Sequence, residues 1–249
     1  MSASSILGII PARYNSSRFP GKPLAMIENK SMIQRVYEQA KKSKSLSEVL
    51  VATDDTRIYE HVQNFGGMVE MTSTDITNGT QRCYEAYQKL GIHYDIIINI
   101  QGDEPFIQPE QIGLLTELFF ENEVTIATLC KKISKHEELI NSNTVKVVRD
   151  LRDFAIYFSR SPVPYYRNKP ENEWLNVHSY YKHIGIYGYR TDALARVTKL
   201  KPSPLELAES LEQMRWLENG FKIKTGETEF DSRGIDNPED IFENLIKGK

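Results

Sequence analysis

The sequence predicts an α/β protein built on a mainly parallel sheet with helices on both faces. Short, near-continuous apolar runs alternate with amphipathic stretches through the first 130 residues. Strands buried on both faces read in this way, whereas strands with one wet face alternate. Glycine, proline and capping residues stand at the junctions, and polar residues crowd the loops that leave the apolar runs.

The elements follow in order. Residues 6–10, ILGII, form a strand stopped by Pro11, and a polar loop runs on to Lys22. From Ser31 the spacing of Met32, Ile33, Val36, Tyr37 and Ala40 is helical. Residues 48–53 form the next strand, and Thr53 or Asp54 is expected to cap a helix reaching about Phe65. Gly66 and Gly67 break the chain before a strand over 68–71. A helix over 80–90, a strongly apolar strand over 94–100, a helix over 109–121 and a strand over 124–130 complete the alternation.

Past residue 130 the rhythm changes. Strands are expected over 145–148, 154–158 and 183–189, separated by longer polar segments. Residues 162–182 hold four tyrosines, Trp174 and three prolines with no clear period. The chain is therefore read as a single domain, 1–249, with 131–190 leaving the main sheet as a lid or dimer contact. Helical patterning returns over 204–217 and 238–246.

Bulk properties narrow the function. A chain of 249 residues suffices for a sizeable core, and 40% hydrophobic with 26% charged residues is ordinary for a globular protein. A formal charge of -3 and a pI near 6.0 argue against a nucleic-acid binder. Cys83 and Cys130 are too few for a disulfide framework and read as small core residues. No positive segment precedes the short apolar run, so no membrane association and a cytoplasmic address are expected.

Three polar loops carry the chemistry, since ligands of open α/β sheets bind beyond the carboxyl ends of the strands. In 11–22, Arg13, Arg18 and Lys22 bring three cations to one loop, suited to a polyphosphate. It is not a Walker loop, because Lys22 is followed by Pro23. In 101–105, QGDEP, adjacent acids at a strand terminus suit a hard cation such as Mg²⁺, which takes one or two carboxylates plus phosphates. Asp236, in 233–240, reads equally as a helix N-cap or as a second carboxylate for the same ion. The stretch 77–82 brings Arg82 to a helix start. His183 reads as a satisfied sheet histidine, Arg160 as a solvated strand end, and Glu206, Glu209 and Glu212 as a solvated face of one helix. Cations with carboxylates, and no nucleophile elbow or zinc motif, point to phosphoryl or nucleotidyl transfer.

Nine segments then make a specific pattern: IIPARYNSSRFPGKPL, VATDD, NGTQR, NIQGDEP, NTVKVV, YFSRSPVP, HIGIYGYR, PLELAESLEQMRWLENG and GIDNPEDIFE. In this order, over about residues 6–245, the chain resembles the CMP-Kdo synthetases, the 3-deoxy-manno-octulosonate cytidylyltransferases. The resemblance implies a nucleotide-diphospho-sugar transferase fold, a homodimer and an Mg²⁺-dependent reaction. CMP would pass from CTP to the anomeric hydroxyl of the acidic eight-carbon sugar Kdo, with release of pyrophosphate, for lipopolysaccharide biosynthesis. It further implies that Arg13, Arg18 and Lys22 bind the triphosphate, that Gly79, Thr80, Arg82, Gln101 and Asp103 contact the nucleotide, and that Asp103 and Asp236 hold Mg²⁺. Arg13, Lys22, Asp103 and Asp236 are thus the implied catalytic set. Arg160, His183, Tyr187, Glu212 and Gln213 match positions lining the sugar pocket, and 131–190 becomes a sugar-binding and dimerisation excursion.

Asn78 and Gln81 depart from the family's usual serine and acid, and residues 141–143 read NSN in place of NPN. Two other readings stay open at this point. One is the same reaction on 8-amino-Kdo or another 2-keto acidic sugar, and the other is a catalytically silent nucleotide-binding module.

Overall fold

The computed structural model describes residues 4–15, 19–231 and 234–241. The chain folds as two compact units. The first comprises residues 1–113, 188–198 and 232–249, and the second residues 114–187 and 199–231.

In the first unit the strands Ile96–Asn99, Ile6–Ala12, Glu48–Thr53 and Met68–Met71 lie side by side in that order, all parallel. Ile6–Ala12 is the pivot. The chain crosses from it outward through Glu48–Thr53 to Met68–Met71, then returns to pair on its other side. Where strand order reverses in this way, a crevice opens beyond the carboxyl ends of the two diverging strands. The loops 11–22 and 100–105 both leave that point.

The helices of this unit follow the apolar spacing. Met32–Lys41 buries Met32, Ile33, Val36, Tyr37 and Ala40, and the Ser31 hydroxyl accepts from the Gln34 N–H at its start. Thr56–Asn64 is capped by Asp55, one or two residues past the expected Asp54 or Thr53, with its carboxylate accepting from the Arg57 N–H. Gly79–Leu90 begins at Asn78, whose Oδ1 accepts from the Gln81 N–H at 2.8 Å, and stops at Gly91 with φ 62°. Asn78 thus caps the helix, a task for which asparagine and serine are equally suited. The last predicted helix begins within 238–241, and its remainder lies outside the described residues.

The second unit pairs Ile126–Lys132 in parallel with Ile223–Glu227, and antiparallel Lys146–Arg149 with Ala155–Ser159. The strand Tyr181–Arg190 meets Ile126–Lys132 on one side and, through Lys182, Lys146 on the other. The aperiodic stretch 162–182 condenses around Trp174, which stacks on Tyr180 and joins Ile133 and Leu139 in a small core. The helix expected over 204–217 is two helices, Pro204–Glu209 and Glu212–Glu218. Ser210 adopts φ 52°, ψ 48° between them, a left-handed conformation that no helix continues through.

Both cysteines are buried, and burial pushes the Cys130 thiol up to about 11. None of the described helices is long and apolar enough to cross a membrane.

Candidate active site

In the first unit the cluster is built on the pivot strand. Gly21, at φ 72°, turns the 11–22 loop back so that its N–H donates to the Tyr14 carbonyl, and a 3-10 turn over Lys22–Leu24 follows. Lys22 is thereby aimed across the crevice. Its Nζ donates to Asp103 Oδ2 at 2.7 Å and to the Ile235 carbonyl at 2.8 Å, and lies 3.5 Å from Asp236 Oδ1. The Ile235 N–H donates to the Asp103 carbonyl, so the late segment is pinned on the 101–105 turn. Ile235 also packs with Ile27 and Met32. Asp236 therefore points its carboxylate at Lys22, while Asp240 Oδ2 accepts from the backbone N–H groups of residues 236 and 237.

Two glycines let the loops approach the pivot. A Cβ on Gly102 would stand 2.7 Å from the Pro11 carbonyl oxygen, and one on Gly79 would stand 3.3 Å from Pro11 Cγ. Beside them Asn99 is almost fully buried, and its Oδ1 has no hydrogen-bond partner among the described residues. Thr80 is buried at the helix start, Gln101 is half-buried at the head of the turn, and Arg13 is exposed. Arg18 lies outside the described residues.

Arg82 stands at the helix start, where the sequence puts it. It is fully buried, and its guanidinium donates to the Thr72 hydroxyl, Asp54 Oδ2 and the Ile76 carbonyl. It fastens the loop 72–79 to the end of the Glu48–Thr53 strand. Asp54, read from the sequence as a possible helix cap, instead anchors the Arg82 guanidinium at 2.7 Å. Gln81 Nε2 donates to the Thr198 carbonyl at 3.3 Å, a packing role within this unit.

The predicted sugar-pocket residues fall in the second unit. The His183 ring stacks edge-on against Phe158 and tilts against Tyr187, with centroids 5.1 and 5.2 Å apart, and Tyr187 meets Trp216 edge-on at 5.1 Å. Burial pushes the His183 imidazole down to about 3, so it is neutral at physiological pH. Burial, reinforced by the Glu212 carboxylate, holds the Tyr187 phenol well above its ordinary value. Gln213 is buried, and its Nε2 has no hydrogen-bond partner among the described residues.

Arg160 is not a loose solvated side chain. Its Nε donates to the Glu209 carbonyl at 2.7 Å and its Nη1 to the Ser142 carbonyl, while its own N–H donates to Glu209 Oε2. The three-glutamate face also dissolves once the helix breaks at Ser210. Glu206 forks onto Arg215 and closes a capping box with Ser203, whereas Glu209 receives Ser159 and Arg160.

Lys146 is a further residue that the sequence reading passed over. It is fully buried in the NTVKVV strand, and its ammonium donates to the carbonyls of Asn141, Thr144 and Arg160 at 2.9, 2.5 and 2.6 Å. Burial lowers it to about 8. A lysine inside an apolar strand pattern was the available signal.

The family model for cytidylyltransferases matches residues 7–224. A 3-deoxy-manno-octulosonate cytidylyltransferase of Parabacteroides distasonis is 56% identical over 239 residues, 94% of each chain. Another, of Cytophaga hutchinsonii, is 55% identical and covers 96% of this chain and 95% of its own. The chain belongs to the 3-deoxy-manno-octulosonate cytidylyltransferase family. Among solved structures, that of a CMP:2-keto-3-deoxy-manno-octonic acid synthetase complexed with CTP superposes with a TM-score of 0.90 at 44% identity, covering 98% of this chain and 99% of that one. Family and fold thus agree with the α/β architecture that the strand pattern indicated.

Proposed function

We infer that this chain transfers CMP from CTP to the anomeric hydroxyl of Kdo and releases pyrophosphate. The observation that carries the reading is the Lys22–Asp103–Asp236 cluster at the crevice of a parallel sheet. The relatives at 53–56% identity, named for this reaction, supply the sugar.

Two carboxylates arranged around one ammonium form a donor set that also suits a hard divalent cation, so Asp103 and Asp236 would hold Mg²⁺. When bound, such an ion neutralises phosphate charge and lowers the pKa of a ligated hydroxyl. The chain's own groups do the rest. Lys22 and Arg13, with Arg18, offset the charge that grows on the departing pyrophosphate. The N–H groups of Gly79 and Thr80, at a helix start, face an anionic ligand, and Gln101 contacts the nucleotide. Arg82 keeps that turn in place through Asp54 and Thr72. Arg160 takes the sugar carboxylate, while His183, Tyr187, Glu212 and Gln213 bond its hydroxyls. The same reading makes the enzyme a cytoplasmic homodimer acting in lipopolysaccharide biosynthesis, an assembly state that light scattering of the purified protein tests.

Pyrophosphate release from CTP, measured with Kdo, 8-amino-Kdo and sialic acid and with or without Mg²⁺, tests the reaction. Metal-dependent release with Kdo is the expected result. Release only with the amino sugar would move the substrate assignment, and no release with any acidic sugar would overturn the enzyme reading.

A further inference from the structure

Thr128 lies midway along the strand Ile126–Lys132 and is fully buried. At such a position valine has the same shape, favours a strand as strongly and has no polar atom to satisfy. The threonine hydroxyl must therefore be placed. Its Oγ1 lies 2.7 Å from the Ile186 carbonyl, 3.2 Å from the Ile184 carbonyl and 2.9 Å from His183 Nε2.

A hydroxyl has one hydrogen and two lone pairs, and a carbonyl only accepts. If the hydrogen went to His183 Nε2, two lone-pair-bearing oxygens would face each other at 2.7 Å with no proton between them, a buried repulsion. The hydrogen is therefore committed to the Ile186 carbonyl. Oγ1 can then only accept from His183, and Nε2 must carry a hydrogen. The imidazole is half-buried against Phe158, Tyr187 and Thr128, and the water it loses there favours the neutral ring. Nδ1 is left with its lone pair free, and it has no partner among the described residues. The His183 main-chain N–H is already committed to the Val145 carbonyl, so the residue's backbone is held as well.

We propose that Thr128 is a positioning residue that sets the tautomer of His183, so that Nδ1 accepts a hydrogen bond from a hydroxyl of the acidic sugar. His183 then recognises a hydroxyl, and the carboxylate is left to a cation. The proposal rests on the sugar-transfer reading above.

The test joins spectroscopy to kinetics on the full chain. ¹⁵N-histidine spectra, assigned with His183→Gln, report which ring nitrogen is protonated at neutral pH. In the wild type, Nε2 is expected to be protonated and Nδ1 not. Thr128→Val should mix the two forms and raise the KM for Kdo about tenfold, the scale of one lost hydrogen bond, with the KM for CTP unchanged. Thr128→Ser, which keeps the hydroxyl, should restore both. An Nδ1-protonated wild type overturns the proposal, and so does a Thr128→Val variant with unchanged spectrum and unchanged sugar KM. An altered spectrum with unaltered sugar KM overturns the sugar contact while leaving the tautomer assignment. A wild-type protein that releases no pyrophosphate with any acidic sugar overturns the underlying reading, whatever the spectrum shows.

Discussion

Lys22 donates from its Nζ to Asp103 Oδ2 at 2.7 Å, across 81 positions of sequence. The same ammonium lies 3.5 Å from Asp236, so one cation offsets the repulsion between two carboxylates that the fold brings together. Replacing Lys22 with methionine keeps the stem and removes the charge. The acids lose their counter-ion and, on the function proposed above, the triphosphate loses a cation. We expect kcat/KM for CTP to fall about 10- to 100-fold, the worth of one or two charge-assisted hydrogen bonds. Initial rates at varied CTP check this, and an unchanged CTP dependence would remove Lys22 from the phosphate site.

Asp103→Asn keeps the size of the side chain and its carbonyl oxygen for Lys22. It removes the charge that a divalent cation needs. Turnover should fall about 100- to 1,000-fold while the unfolding midpoint in urea stays close to that of the wild type. Mn²⁺ titration followed by electron paramagnetic resonance gives a readout independent of turnover. Undiminished Mn²⁺ binding would refute the assignment of Asp103 as a ligand.

Gly102→Ala tests whether the turn must touch the pivot strand. The new Cβ would meet the Pro11 carbonyl oxygen at 2.7 Å, and neither backbone can yield cheaply. A cost of about 1–3 kcal/mol in urea unfolding is expected, with a raised KM for CTP because Asp103 is the next residue. Wild-type behaviour in both measurements would mean that the turn shifts freely.

The parallel strands of the first unit were legible because strands buried on both faces leave continuous apolar runs such as ILGII and YDIIINI. The polar loops beyond their ends were legible for the same reason, since strand ends are where an apolar run stops. The residues alone left Asp236 between a helix cap and a partner of Asp103, and the resemblance implied their meeting, because it depends on Ile235 packing with Ile27 and Met32, a tertiary contact without local periodicity. The helix break at Ser210 was hidden by good helix formers on both sides. Thr128 looked like any β-branched strand residue, and only the carbonyls of the neighbouring strand reveal what its hydroxyl does.

Lys146→Met separates packing from positioning in the second unit. Methionine fills the apolar part of the site but leaves the carbonyls of Asn141, Thr144 and Arg160 without their common donor. The Asn141 carbonyl keeps the Thr144 N–H at 3.1 Å, so two acceptors are left unpaired, at a cost of about 2–3 kcal/mol of stability. Because the Arg160 backbone is one of the three anchors, the KM for Kdo should rise while the KM for CTP holds. Equal losses for both substrates would indicate a general loss of structure.

His183 makes a prediction for pH that its environment signs unambiguously. Its imidazole is pushed by burial from the ordinary 6.5 down to about 3. Between those values the unfolded chain binds a proton on this ring and the folded chain does not, so stability is full above pH 6.5 and is lost as pH falls toward 3. The slope from one such group is at most about 1.4 kcal/mol per pH unit. His183→Gln removes the titration, and the comparison is between slopes, since the substitution also changes packing against Phe158 and Tyr187. Between pH 6.5 and 5 the wild type should lose about 1–2 kcal/mol more than the variant in urea unfolding. Parallel stability profiles over that window would show that the ring is protonated as readily in the folded protein as in the unfolded chain, which would also undo its assignment as a neutral acceptor.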